Sequence, residues 1–463
     1  MKYTWRSLKN TLLTLILLIP GLAVANVHEY LLDNGLKILV KEDHRAPVVV
    51  SQIWYKVGGS YEHDGITGIS HALEHMMFKG TEKFPSGEFS RIISENGGRD
   101  NAFTGADYTT YFQTLEKSRL ATSFELEADR MRFLTLPAEE FAKEIDVVKE
   151  ERRWRTDDKP QSYVYEVAMA TAYQTSPYRF PVVGWMQDLE NMTIEDLSDW
   201  YQKWYAPNNA TLVVVGDVIQ DDVFALAKQY FGPLPKGEPI TMKVQEEVEQ
   251  RGTKRVKIKR PAELPYLMMV YKTPVVKPGN EDQDSLDWEP YALEVLAWIL
   301  DGGSSARITS RLVRGSEVAA SAGAGYRMIS RLDNLFTMSG TPSQGKTIQE
   351  LEVALRNEIL DLQHNPVTEE ELQRVKAQVI SGDVYEKDSV FYQAMIIGTL
   401  ETVGLSWQIA DEYVERVKAV TKEQIMDVAK KYLIDDRLTV AELEPLPLEN
   451  KPSRMTRGNG HGH

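Results

Sequence analysis

The chain of 463 residues contains no cysteine. This absence excludes disulfide bonds. It also excludes the lipid attachment that bacterial lipoproteins receive on a cysteine behind their signal peptide. Stability must therefore come from a large hydrophobic core, which a chain of this length can form.

Positive charge is also scarce, because 53 Lys and Arg stand against 68 Asp and Glu, a net charge of −15. Binding of nucleic acid needs a basic face, so we exclude this class of partner. Beyond the first 25 residues no apolar run reaches the roughly 20 residues that span a bilayer. With 42% hydrophobic and 26% charged residues, the composition is that of a folded globular protein without stable membrane insertion.

Residues 1–25 have the pattern of a secretory signal peptide. Three basic residues precede an apolar run over 12–25, which closes with the small-x-small pattern Ala-Val-Ala. We expect cleavage after Ala25, and the alternative is an uncleaved anchor. The signal, the chain length and the missing cysteines together favour a periplasmic location. Loss of three basic residues leaves 50 basic and 68 acidic ones, a net charge of −18.

Two segments of the chain repeat each other, since residues 193–212 and 421–440 align without a gap at a constant offset of 228. Each reads as a Thr-capped amphipathic helix, a polar turn and a strand. We infer an internal duplication with two homologous domains, and the alternative is coincidence between two common units. The identical pairs are Thr193/Thr421, Glu195/Glu423, Asp199/Asp427, Lys203/Lys431 and Thr211/Thr439.

A stretch rich in proline, glycine and glutamate reads as a linker over 236–253. It separates an N-terminal domain over 26–235 from a homologous C-terminal domain over 254–445, and a disordered tail follows over 446–463. In both domains strand-like segments come first and long helical segments follow. This order predicts an α+β fold in which helices pack on a mainly antiparallel sheet. The strand-like segments lie at 35–40, 48–57, 255–258 and 266–271.

A short helix predicted after Thr67, its expected N-cap, carries the motif His71-Ala-Leu-Glu74-His75. Histidines four residues apart lie on one side of a helix, away from the apolar side chains between them. Such a pair can bind one Zn²⁺, and the neighbouring Glu74 can act on a water there. The alternative is a pair of core or surface histidines.

A catalytic zinc takes three protein ligands, so a third has to come from another part of the chain. The helix predicted over 141–154 places Glu144 and Glu151 at the edge of its apolar face, whereas Glu150 faces solvent. Buried carboxylates need a partner, which a metal provides, and surface ion pairs are the alternative. We predict Glu151 as the third ligand and Glu144 as a carboxylate that orients a histidine or the water.

These residues predict a hydrolase with one Zn²⁺ per chain. Two neutral histidines and one carboxylate keep the site cationic, so the zinc remains a strong Lewis acid. Glu74 then accepts a proton from water and passes it to a leaving amine. The predicted reaction is peptide-bond hydrolysis, and hydrolysis of a non-peptide substrate is an alternative.

The sequence resembles the M16 metallopeptidases over most of its first half. This family has the inverted zincin motif and includes pitrilysin, insulin-degrading enzyme and the mitochondrial processing peptidase. The resemblance implies a LuxS/M16 peptidase-like fold and a two-domain subunit that pairs with another to enclose a chamber. The matching stretches are WYKVGGSYE at 54–62, GISHALEHMMFKGT at 68–81, GGRDNAFT at 97–104 and TTY at 109–111.

The resemblance also implies roles for single residues. It makes His71, His75 and Glu151 the zinc ligands, and it makes Glu74 the catalytic base. Phe78 matches an apolar pocket residue next to the scissile bond, with ordinary core packing as the alternative.

The stretch from Asn101 to Thr104 resembles the sheet-edge strand to which substrates of the family add as an extra strand, with Asn101, Ala102 and Phe103 as its substrate-binding residues. Such an edge binds an extended peptide through main-chain hydrogen bonds. We therefore expect peptides and unfolded polypeptides as substrates.

The second half departs from the family pattern. Active members have an Arg and, seven residues later, a Tyr that reach the substrate, and these positions align here with Val313 and Ala320. Arg311, Arg314 or Tyr326 can substitute if the alignment shifts. The departure predicts a heterodimer in which a homologous M16 subunit without zinc supplies the pair, and a homodimer stays open.

Taken together, the sequence predicts an exported zinc-dependent endopeptidase. The alternative is a non-catalytic assembly or scaffold subunit, which the same fold also provides.

Overall fold

The computed structural model describes residues 26–243, 245–278 and 287–448. The predicted signal peptide over 1–25 and the predicted tail from residue 449 onward lie outside the described residues. Within the described ranges, no helix has both the length and the apolar character needed to cross a membrane.

Six strands of the first half form one mixed sheet, with β2 parallel to β6 and all other neighbours antiparallel. The strands are β1 (Val27–Leu31), β2 (Lys37–Glu42), β3 (Val48–Tyr55), β4 (Arg99–Thr104), β5 (Thr109–Glu116) and β6 (Ala210–Gly216). Their order is β1-β2-β6-β3-β5-β4, so β4 forms one edge.

Five strands of the second half repeat this arrangement in the order β7-β11-β8-β10-β9. Strands β7 and β11 are parallel, as β2 and β6 are in the first sheet, and all other neighbours are antiparallel. The strands are β7 (Lys254–Pro261), β8 (Tyr266–Thr273), β9 (Ala319–Gly325), β10 (Asn334–Pro342) and β11 (Leu438–Leu446). The order matches that of the first sheet without β1, which confirms two homologous α+β domains. The four predicted strand segments fall on β2, β3, β7 and β8.

Helices cover both sheets. In the first half they are α1 (Ile69–Met76), α2 (Glu88–Glu95), α3 (Leu120–Phe133), α4 (Ala138–Arg152), α5 (Pro160–Ala172), α6 (Met186–Asn191), α7 (Ile194–Trp204) and α8 (Gln220–Phe231). In the second half they are α9 (Glu289–Asp301), α10 (Ile348–His364), α11 (Glu369–Glu386), α12 (Val390–Thr402), α13 (Ile409–Ala419) and α14 (Lys422–Tyr432).

The repeated segments fold alike. Thr193 caps α7 by accepting from the backbone N–H of Asp196, and Thr421 caps α14 by accepting from that of Gln424. In both cases the third helical side chain bonds back to the cap, which completes a capping box. The alignment at a constant offset thus predicted two equivalent helices correctly.

Each half contributes one helix to the sheet of the other half. Helix α5 packs across β7, β8 and β11, and α12 packs across β3 and β6. Ala394 and Ile397 of α12 join a buried cluster with Trp54 and Val213 of the first sheet. Because the first sheet's own helices cover its opposite face, its central strands are apolar on both faces.

A buried carboxylate also connects the halves. Oδ1 of Asp107 accepts a hydrogen bond from Ser60 Oγ at 2.7 Å, and Oδ2 accepts from the hydroxyl of Tyr178 at 2.5 Å and from the backbone N–H of Arg331 at 3.0 Å. The guanidinium of Arg331 lies 4.3 Å from the ring centre of Tyr61. Hydrogen bonds therefore link the second half to the loops around the first sheet.

The predicted linker over 236–253, of which residue 244 is not described, forms no helix or strand in its described part. Glu247 nevertheless fixes it to both halves. Its carboxylate accepts from the backbone N–H groups of Gln174, Thr175 and Ser176, and Lys272 lies 2.6 Å away. The domain boundaries at 235 and 254 stay predictions.

Candidate metal centre

Helix α1 begins at a close contact between two chain segments. Gly68, its N-cap, has a φ of 86°, and a Cβ there would lie 2.5 Å from the carbonyl oxygen of Val183. Only glycine tolerates this combination. The helix buries Leu73 and Met76 in the core, and the rings of His71 and His75 lie on another side with centres 4.9 Å apart.

Glu62 binds the N-terminus of α1. The prediction of Thr67 as the N-cap was wrong. The carboxylate of Glu62 accepts from the backbone N–H of Gly68 at 2.7 Å and from that of Ser70 at 2.9 Å. Burial raises the pKa of Glu62 to about 7, and these two hydrogen bonds oppose the rise. Thr67 instead donates its hydroxyl to Asp188 at 2.5 Å, because the sharp turn at Gly68 directs it away from the helix.

Helix α4 brings two carboxylates to α1. Its apolar face is buried, and Glu144 and Glu151 lie beside it, as the helical periodicity predicted, whereas Glu150 is exposed. Nδ1 of His75 donates to Oε2 of Glu144 at 3.2 Å. Nε2 of His75 is then the ring nitrogen that can serve as a ligand atom.

The three predicted ligands come together. Oε2 of Glu151 lies 3.4 Å from Nε2 of His71 and 3.5 Å from Nε2 of His75, and one ligand atom from each residue lies within 4.8 Å of the others. Two imidazole nitrogens and a carboxylate oxygen are a donor set that zinc accepts.

The chemistry of these atoms fits a cation. Oε2 of Glu151 is buried and has no hydrogen-bond partner among the described residues. Burial lowers the pKa of His71 to about 3, so its imidazole is neutral and offers a lone pair. A buried acceptor without a donor is costly unless a cation binds there.

Glu74 lies next to this group. Burial raises its pKa above the usual value, while a hydrogen bond from Thr104 opposes the rise. The Thr104 hydroxyl donates to Oε2 of Glu74 at 2.5 Å, and Thr104 is the last residue of β4. The end of the sheet edge therefore touches the predicted general base.

Three further side chains of the site were missed by sequence reasoning. Arg155 lies 2.5 Å from Oε1 of Glu151, and Lys79 lies 2.5 Å from Oε1 of Glu144. Arg155 and Lys79 each follow a predicted ligand, Glu151 or His75, by four residues, and this spacing was an available signal. Thr104 was predicted only as part of the edge strand, because its contact with Glu74 depends on the tertiary fold.

The predicted substrate residues lie at two places. Asn101, Ala102 and Phe103 are on β4, the edge strand, which pairs only with β5 among the described strands. Phe78 is half-buried and lies 5.3 Å from the guanidinium carbon of Arg130, within an aromatic cluster of the core. These contacts are those of core packing, and its role beside a scissile bond stays a prediction.

The positions aligned with the family's Arg and Tyr hold Val313 and Ala320, and Ala320 is exposed on β9. The candidate substitutes make contacts within their own half. Arg311 pairs with carboxylates of α10, Arg314 donates to the carbonyl of Ser304, and Tyr326 donates to that of Pro274. Absence of the pair stays a prediction.

Two family models match the chain. Insulinase (Peptidase family M16) matches residues 37–184, which include the candidate metal centre. Peptidase M16 inactive domain matches residues 191–379.

Relatives match along nearly the whole chain. A zinc protease PqqE of Helicobacter pylori is 32% identical over 424 residues, 89% of this chain and 92% of the relative. An uncharacterized zinc protease YmxG of Bacillus subtilis is 24% identical and covers 89% and 96%.

Solved structures share the fold. A protease from Helicobacter pylori has a TM-score of 0.85 at 28% identity and covers 91% of this chain and 100% of its own. The first half of the periplasmic protease PqqL from Escherichia coli has a TM-score of 0.74 at 21% identity and covers 90% and 91%. Against the longer PqqL chain, the match covers 91% of this chain and 48% of that one.

Proposed function

The chain belongs to peptidase family M16, and from this premise we propose that it is an exported zinc-dependent endopeptidase that hydrolyses peptides and unfolded polypeptides. One observation carries the proposal. The buried, unpartnered Oε2 of Glu151 faces Nε2 of both His71 and His75 at 3.4 and 3.5 Å. The Helicobacter pylori relative is named a zinc protease, which supports the same metal and reaction.

In the proposed mechanism His71, His75 and Glu151 hold one zinc ion. When bound, zinc supplies a Lewis acid that activates water and polarises a carbonyl. Glu74 takes the proton of the attacking water and delivers it to the leaving nitrogen. Burial raises the pKa of Glu74 above that of an exposed carboxylate, which makes it a stronger base for the first step.

Other side chains keep these groups in place. Glu144 accepts from Nδ1 of His75 and is itself paired with Lys79, so the imidazole keeps its orientation. Arg155 binds Oε1 of Glu151 and leaves Oε2 for the metal. Thr104 fixes the direction of the Glu74 carboxylate.

The substrate is proposed to lie along β4. Asn101, Ala102 and Phe103 belong to the edge strand, and an extended peptide can add there as a seventh strand. The N–H of Ala102, which donates to Oδ1 of Asn101 at 2.9 Å, would have to exchange this bond for one to the peptide. The hydrogen bond between Thr104 and Glu74 sets the distance from this edge to the base. Peptide bonds inside folded domains cannot add to the edge, because their main-chain groups are already paired within the domain.

We further propose that the chain works in a pair with a homologous subunit. Val313 and Ala320 stand where active members have Arg and Tyr, so a partner without zinc is proposed to supply them. The match to about half of PqqL from Escherichia coli supports a pair, because that longer chain has room for two such units. A homodimer and a scaffold role are the competing outcomes.

The zinc and the base are tested with three variants. Glu74→Gln is expected to retain zinc and lose at least about a hundredfold in activity, whereas His71→Ala loses both. Glu150→Gln is the matched control, because Glu150 is exposed on the same helix as Glu151. Zinc is measured by metal analysis, and activity by cleavage of a quenched peptide with and without chelator. Full turnover by Glu74→Gln contradicts the general-base role.

Export and pairing need their own measurements. Cell fractionation is expected to recover the chain, without residues 1–25, in the periplasm. Co-purification from the native host is expected to yield a homologous subunit whose addition raises peptide cleavage. High activity of the pure chain as a homodimer contradicts the need for a zinc-free partner.

A further inference from the structure

A cavity of about 480 Å³ lies where α9, α11, α12 and α13 meet. None of its lining residues belongs to the candidate metal centre. The first half contributes Tyr108 to its wall. We call it the junction cavity, because it lies between the second half and a loop of the first.

Most of the wall is aromatic or aliphatic. Trp298 of α9, Tyr392 of α12 and Tyr413 of α13 contribute rings, and Met395 and Ile396 contribute aliphatic surface. The volume falls within the roughly 300 to 1,000 Å³ of small-molecule sites. Burial of an apolar ligand body in such a cavity is favourable.

The polar groups of the wall are mainly acidic. Glu294, Asp383 and Glu386 all line the cavity. Glu386 is exposed and Glu294 is half-buried as a residue. Yet Oε2 of Glu294 is shielded from solvent, and it has no hydrogen-bond partner within the described part of the chain.

Positive charge from a nearby lysine balances only Asp383 among these carboxylates. Nζ of Lys387 lies 2.8 Å from Oδ2 of Asp383 and donates to the carbonyl of Ala410, so its charge is already paired. Arg327 is the one basic residue among the described lining residues, and it is exposed. Burial raises the pKa of Glu294 to about 7, as expected for a carboxylate without a cation.

We propose that the junction cavity binds a small organic cation, an amine with an aromatic or aliphatic body whose ammonium group pairs with Glu294. The ammonium offers the donor that Oε2 lacks. The rings of Trp298, Tyr392 and Tyr413 favour a cation near their faces. The apolar part of the ligand fills the remaining wall.

Three indole compounds of similar size separate charge from shape. Tryptamine is the cationic probe, tryptophol the neutral one and indole-3-acetate the anionic one. Isothermal titration calorimetry on the full purified protein is expected to show binding of tryptamine. Tryptophol binds about tenfold or more weakly, since one charge-assisted hydrogen bond is worth that factor, and indole-3-acetate does not bind.

Two variants test the location. Glu294→Gln keeps the shape of the side chain and is expected to weaken tryptamine binding by about tenfold or more. Gly382→Leu is expected to block the cavity, because Gly382 lines it and a Cβ there meets nothing within 4 Å. Glu370→Gln, exposed on α11 outside the lining, is the matched control and should bind as the original chain does.

The binding of tryptamine does not depend on the peptidase activity of the protein. Glu74→Gln is expected to bind tryptamine normally, so loss of peptidase activity leaves this test intact. Equal binding of tryptamine and tryptophol, or unchanged binding by a folded Glu294→Gln, overturns the proposal. If Gly382→Leu fails to fold, the Glu294→Gln comparison alone decides.

Discussion

One carboxylate, Glu62, positions the helix that carries both histidines. It satisfies two N–H groups at the start of α1, at Gly68 and Ser70, although it lies outside that helix. A carboxylate at a helix N-terminus also interacts favourably with the helix dipole. The orientation of His71, one residue after Ser70, therefore depends on Glu62.

Glu62→Gln is expected to weaken zinc binding by about tenfold and lower stability by roughly 1–2 kcal/mol, because an amide NH₂ then faces a backbone donor. Zinc affinity by competition with a chelating dye and thermal unfolding measure the two effects. Glu82→Gln, an exposed carboxylate of the same half, is the control. Equal values for the two variants show that Glu62 does not hold the helix.

Glu294 makes stability depend on pH. Burial raises its pKa from 4.5 to about 7, Asp383 and Glu386 act in the same direction, and the Tyr413 hydroxyl opposes them. The folded protein keeps a proton that the unfolded chain has lost, so the free energy of unfolding falls as pH rises from 4.5 to about 7. Above that range the loss is complete.

Glu294→Gln removes this loss, so its advantage over the original chain should grow by roughly 2–3 kcal/mol between about pH 5 and about pH 8. Urea unfolding at both pH values measures the difference. Glu370→Gln is expected to show no such growth. A constant difference across this range refutes a raised pKa at Glu294.

At the residue scale, helical periodicity determined which side chains of the site could be predicted from the sequence. Glu144 and Glu151 lie beside the buried face of α4, as the helical periodicity predicted, while their roles stay predictions. Glu62 and Thr104 lie in stretches that resemble the family, but they reach the site through a loop and a sheet edge, so no helical pattern predicted their contacts. The prediction of Thr67 as N-cap was wrong because residue preferences for caps do not take into account the turn at Gly68.

Among the elements, α12 fits against the first sheet through a glycine. A Cβ at Gly398 would lie 2.1 Å from ring atoms of Trp54, whose side chain is fully buried in β3. The indole cannot move aside easily, since its Nε1 donates to Gln52 at 3.0 Å. The close approach of helix and sheet therefore requires glycine here.

Gly398→Ala is expected to destabilise the protein by about 1–3 kcal/mol, because it overpacks this contact. Gly382→Ala is the matched control, a helical glycine with open space around it, and should gain about 0.5–1 kcal/mol from helix propensity. Urea unfolding compares them. An unchanged free energy of unfolding in Gly398→Ala would contradict a close contact between α12 and Trp54.

At the element scale the repeat and the strands were predictable, but the exchange of helices was not. The apolar residues of α5 and α12 indicate that these helices are buried, yet they do not identify the sheet that covers them. That choice depends on the chain path between the halves. The distance along the sequence between a helix and a sheet does not indicate whether the two pack together.

For the whole molecule, the hydrogen bonds of Asp107 join the halves. Asp107→Ala leaves Ser60, Tyr178 and Arg331 without their shared acceptor, so we expect a loss of about 3 kcal/mol. Asp64→Asn is the control, because Asp64 pairs with Arg179 at the surface and should change stability by less than about 1 kcal/mol.

Thermal unfolding followed by circular dichroism measures both variants. Asp107→Ala is expected to broaden or split the transition, since the halves lose a shared network. A single sharp transition at the original temperature contradicts the role of Asp107 as a connection.

The packing of α12 on the first sheet has a consequence during biosynthesis. The ribosome completes β6 long before it makes Val390–Thr402, and at cellular elongation rates the interval is on the order of ten seconds or more. During that interval the sheet face that contains Trp54 and Val213 is not yet covered by α12. We therefore expect chaperones to bind the nascent N-terminal half until α12 of the second half has been synthesised and covers the sheet.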